Sequence, residues 1–154
     1  PVISYGSTTE KWGATHKLRA YIEKFKPGYI VVCLGGNELF VRNVERSRAA
    51  MVDSIIADIG GLPFVWIGPP NWKPATGINR LIAGKVGNGH FFLSSNLSLD
   101  RASDGAHPTR EAAAVWMDSV AVWISTKSVC PMRLDVPHKR SAKPVKTIVL
   151  TPDD

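Results

Sequence analysis

The chain has 154 residues, enough for one domain with a genuine core. Apolar residues make up 44% and charged residues 21%, the profile of a globular domain, and no apolar run approaches the ~18 residues that a membrane span needs. The formal charge of +6 admits a polyanionic partner, yet no basic helix face or aromatic-interleaved basic strand accompanies it, so nucleic acid is not the expected ligand.

Residues 1–5 read as a short strand ending at Gly6. Ser7-Thr8-Thr9-Glu10 has the form of a capping box, with Ser7 accepting in the first turn and Glu10 reaching back. The spacing of Trp12, Leu18, Ile22 and Phe25 predicts one helix to about residue 25, stopped by Lys26-Pro27-Gly28. Residues 29–34 are continuously apolar and predict a strand buried on both faces, with Cys33 as a small buried hydrophobe. Asn43 is placed to cap a helix over 44–59 that buries Met51, Ile55 and Ile59 and ends at Gly60-Gly61.

A second buried strand is expected over 64–67, closed by Gly68-Pro69-Pro70, and a short helix over 78–83. A further strand is expected over 90–93, then a polar loop. Thr109 caps a last helix to about residue 126, with Ala113, Trp116, Val120 and Trp123 inward. Alternating strands and helices argue for a mainly parallel sheet with helices on both faces. Residues 136–146 are rich in Pro, Lys and Arg and read as an extended strap or linker; 147–151 are a β-branched run able to pair with a sheet edge. The boundaries are therefore a domain over 1–132 and an extension over 133–154.

Three short segments carry chemistry. Asp104-Gly105-Ala106-His107-Pro108-Thr109 sets a carboxylate and an imidazole three residues apart on one loop. Histidine is the side chain suited to base catalysis near neutral pH, and a carboxylate beside it fixes the ring tautomer. An isolated Asp-x-x-His is also compatible with an ordinary helix-entry loop. Gly35-Gly36-Asn37-Glu38 follows the apolar strand; its glycines permit close backbone approach and the Asn37 amide can donate to a developing oxyanion, although Gly and Asn are equally at home in a plain turn. Gly6 supplies an N–H between a strand and a helix start. Cys33 and Cys130 lack CxxC spacing or a neighbouring His, so neither metal nor cofactor is called for.

Taken together these segments resemble the SGNH/GDSL hydrolase family of serine esterases and acetylesterases. The family pattern has four blocks: a Gly-Asp-Ser nucleophile turn, an oxyanion glycine, Gly-x-Asn-Asp, and Asp-x-x-His-Pro. Gly6 matches the second, Gly35-Gly36-Asn37-Glu38 the third with Glu for Asp, and Asp104 to Thr109 the fourth, over residues 1 to about 126. The resemblance implies a flavodoxin-like three-layer α/β/α fold with the first strand, which carries the nucleophile, missing from this chain. It implies catalytic roles for Asp104 and His107 and oxyanion roles for Gly6 and Asn37.

The nucleophilic serine then comes from an upstream segment or a second chain. Ser7 is the internal candidate, and the strand over 147–151 the alternative in a rearranged chain, without a following serine. The implied activity is hydrolysis of O-acyl esters, O-acetyl above all, of a small molecule or polysaccharide. Trp72, in the Pro-rich loop, is the candidate sugar-stacking residue, whereas Trp12, Trp66, Trp116 and Trp123 read as core. An O-acyltransferase, or a non-catalytic glycan-binding or assembly domain, are the alternatives. A secreted or cell-envelope setting fits that substrate class.

Overall fold

The computed structural model describes residues 1–134 and 146–150. Over these residues it is a mixed α/β chain with short parallel sheets and five α-helices. β1 (Val2–Ser4) leads into α1 (Thr9–Thr15) and α2 (Lys17–Phe25). β2 (Ile30–Cys33), α3 (Val44–Ile59), β3 (Phe64–Ile67), α4 (Ile78–Val86), β4 (Phe91–Phe92), α5 (Arg110–Thr126) and β5 (Ile148–Leu150) follow. β2, β3 and β4 form one parallel sheet in that order, with Val32 opposite Trp66 and Ile67 opposite Phe92. β1 and β5 form a separate parallel pair, with Ser4 opposite Leu150.

The larger core lies between the β2–β3–β4 sheet and α3 and α4. Ile30, Val32 and Trp66 pack there against Val52, Ile55, Ile59, Ile78 and Ile82. On the other face Val65 and Ile67 meet Val120 and Ile124 of α5, so β3 is buried on both sides. Burying such aliphatic side chains contributes about 1.5–3 kcal/mol each.

Several expectations need correction. The single helix to residue 25 is two, because His16 adopts a left-handed backbone (φ 51°) between α1 and α2. Its Nδ1 lies 3.0 Å from Asp58 Oδ1 on α3, an anchor that periodicity cannot reveal. The α1 cap is Thr8, whose hydroxyl accepts from the Lys11 N–H (3.0 Å). Ser7 Oγ instead donates to the Ser4 carbonyl (2.7 Å), and Glu10 pairs with Arg48 (2.8 Å), so there is no capping box. Asn43 is left-handed (φ 51°) and makes no side-chain cap.

β2 is buried on one face only: Val31 is 51% exposed and Cys33 is exposed, because α5 lies over β3 and no described element covers β2 on that side. The helix expected over 78–83 runs on to Val86, and the strand expected over 90–93 shrinks to Phe91–Phe92. On α3, Val52 joins Ile55 and Ile59 in the core while Met51 is half-buried; on α5, Ala112, Val120 and Ile124 are buried and Trp116 and Trp123 half-buried. The β-branched tail does pair with a strand edge, that of β1. The proposed strap lies outside the described residues but for Lys146. Among the described residues no helix is long and apolar enough to cross a membrane.

Candidate functional site

The loop between β4 and α5 is closed on itself. Arg101 and Pro108 form an isolated antiparallel bridge, and Ala102 N–H donates to the His107 carbonyl (2.8 Å). Gly105 occupies the left-handed region (φ 69°), which tightens the turn between the two functional side chains. Thr109 Oγ1 accepts from the Ala112 N–H (3.1 Å) and starts α5 as expected.

Inside that loop Asp104 uses both oxygens. Oδ1 accepts the Ala106 and His107 backbone N–H groups, each at 2.9 Å. Oδ2 lies 2.6 Å from His107 Nδ1. The hydrogen bond from His107 and the two backbone N–H groups hold the Asp104 carboxyl down at about 2. It is therefore ionised at neutral pH and holds Nδ1 as the protonated nitrogen, leaving the basic lone pair on Nε2. The His107 side chain is 83% exposed, so Nε2 is open to a reactant. Among the described residues no serine or threonine hydroxyl is hydrogen-bonded to it.

The second pair forms where β1 and β2 end. Gly35 (φ 118°) and a 3-10 turn over Gly36–Glu38 lift Asn37 out of the strand. Asn37 Nδ2 donates to the Ser7 carbonyl (2.8 Å), which commits one of its two N–H bonds and leaves the second for a ligand. Gly6, also left-handed (φ 65°), immediately precedes that carbonyl, so Asn37 and the Gly6 turn are held together. Glu38 is fully buried beneath them. Its Oε1 accepts from Thr9 N–H (2.9 Å), from the Thr9 hydroxyl and from Arg48 Nε (3.2 Å), tying the β2 loop to the start of α1.

Ser7 does not have the setting of a nucleophile. Its hydroxyl donates to the Ser4 carbonyl and accepts from Trp12 Nε1 (3.0 Å), so both hydrogen-bonding directions serve local structure.

The two pairs, Asp104 with His107 and Asn37 with Gly6, share no hydrogen bond with each other among the described residues. What links their loops is a bridge that the sequence did not disclose. Arg101 donates from Nη1 to the Ala106 carbonyl (3.1 Å) and from Nη2 to the Asn71 carbonyl (3.0 Å). Next to Asn71, Trp72 meets Phe40 edge to face with ring centroids 5.3 Å apart, and Phe40 lies three residues beyond Asn37. Phe40 and Arg101 were legible only as an aromatic just past the turn and an arginine just before the acidic loop.

Among the described residues no group of three or more His, Cys, Asp and Glu side chains gathers to hold a metal. Compared with protein-family models, with curated proteins and with solved structures, the chain matches none of them.

Proposed function

We propose that the chain is the acid–base and oxyanion part of a serine esterase of the SGNH/GDSL type, acting on O-acyl, above all O-acetyl, esters of a carbohydrate. The observation that carries the reading is the Asp104–His107 pair: carboxylate on Nδ1, Nε2 open, and the loop braced by backbone hydrogen bonds. A solvated helix-entry loop needs no such imidazole–carboxylate contact. The Asn37 amide, held beside the Gly6 turn, supplies an oxyanion donor of a kind often worth about 3 kcal/mol.

The fold in this reading is a flavodoxin-like three-layer sheet whose nucleophile strand belongs to a segment outside these residues. A serine on that segment attacks the acyl carbon as His107 Nε2 takes its proton. Asp104 holds the imidazolium, and Gly6 N–H, the Asn37 amide and the serine's own N–H receive the oxyanion. Protonation of the leaving alcohol by His107 releases the sugar, and water activated by the same imidazole clears the acyl-enzyme. An acyltransferase would differ only in its acceptor.

The test is turnover of a short-chain aryl ester by the polypeptide that includes a Gly-Asp-Ser strand. His107→Ala should lower kcat by about 10²–10⁴-fold with the fold intact. Turnover close to that of the parent would remove His107 from the mechanism. One observation favours a second reading, a glycan-binding domain without catalysis: two aromatic side chains, Phe40 and Trp72, stand exposed beside the site.

A further inference from the structure

Phe40 and Trp72 are two of the large apolar side chains left exposed, at 40% and 37%, and they are the two that touch each other in an edge-to-face contact. Neither is core spill-over. Phe40 follows the Asn37 turn, and Trp72 sits on the loop that Arg101 ties to the His107 loop. The platform they form therefore lies on the loops that connect the two halves of the candidate site.

Its charge comes from Lys73, next to Trp72, which holds its ammonium 4.3 Å from the Phe40 ring centroid. Among the described residues no carboxylate pairs with Lys73 or with Arg42, two residues beyond Phe40.

We propose that this platform binds a carboxylate-bearing sugar unit of an acylated glycan. The apolar C–H face of a pyranose packs on Trp72, and its carboxylate takes the ammonium of Lys73, held beside it on Phe40, in a charge-assisted contact. A neutral glycan would satisfy Trp72 and leave Lys73 without a carboxylate. This substrate class rests on the esterase reading for the acyl group, whereas the binding itself needs no nucleophile.

The experiment is affinity electrophoresis of the chain through gels containing partly acetylated polygalacturonate, acetylated xylan or dextran sulfate, at physiological salt. Retention by polygalacturonate should exceed that by xylan roughly tenfold. Trp72→Ala, Phe40→Ala and Lys73→Glu should each weaken it by a similar factor, with unchanged circular dichroism. Lys127→Glu, at the far end of α5, makes the same charge change and should leave it alone.

Equal retention by xylan, stronger retention by dextran sulfate, or equal losses from Lys73→Glu and Lys127→Glu would overturn the proposal in favour of general attraction by a basic protein. Retention without ester cleavage by the polypeptide that includes a Gly-Asp-Ser strand would keep the platform and remove the esterase reading. Cleavage of aryl esters without retention would do the reverse.

Discussion

Asp104 binds three hydrogens with two oxygens, and this fixes how its loop responds to acid. Its carboxyl is held at about 2, below the ordinary 3.8. A depressed carboxyl stabilises the folded loop at pH values above the ordinary one, and the contribution drains away as pH falls from there through about 2. The Ala106 and His107 backbone amides should therefore titrate together by NMR with a midpoint near 2, and lose that transition in Asp104→Asn. A midpoint near 3.8 would mean that the carboxylate does not hold them.

Glu38 also gathers several partners, and it is buried. Glu38→Gln removes the charge that receives Arg48 and should destabilise the chain by about 1–3 kcal/mol in urea. It should also displace the Asn37 side-chain amide resonances, because the same turn holds both. Both side chains of the Asp104–His107 pair were legible from their spacing. The bridging role of Arg101 was not, since nothing local marks an arginine whose partners lie on loops 30 and 5 residues away.

At the scale of elements, α1 and α3 approach so closely that a Cβ on Gly13 would meet the Met51 carbonyl at 2.5 Å and its Cα at 2.8 Å. Backbone cannot yield there, so Gly13→Ala should destabilise by about 1–3 kcal/mol. Gly84, in α4, has nothing within 4 Å of its added Cβ, and Gly84→Ala should stabilise by about 0.5–1 kcal/mol. Equal effects in chemical denaturation would contradict this packing.

The same scale separates what periodicity reveals from what it does not. β3 was legible to the residue because four apolar positions bounded by Pro63 and Gly68 are buried on both faces. β2 is just as continuously apolar, yet one face is open, because apolar content does not state which helix lies above a strand. The α1–α2 break escaped because a left-handed His16 leaves the apolar spacing intact.

At the scale of the molecule, the parallel α/β character followed from the alternation of elements. The division into a β1–β5 pair and a β2–β3–β4 sheet did not, because it depends on a tail that returns over a hundred residues. Leu150 is buried in that return and stands opposite Ser4, so Leu150→Ala should cost about 2–5 kcal/mol and expose the β1 amides to hydrogen exchange. Unchanged exchange in β1 would show that the pairing does not persist in solution.

The central claim is that His107 serves a serine that these 154 residues do not supply. A fluorophosphonate probe with an aryl acetate assay tests it directly, on the chain alone and on the chain joined to a Gly-Asp-Ser strand. The account predicts neither labelling nor hydrolysis for the chain alone. With the strand present it predicts both, each abolished by His107→Ala. Labelling at Ser7 with substantial hydrolysis by the chain alone would contradict it, because the Ser7 hydroxyl would then be the nucleophile rather than a link between Ser4 and Trp12.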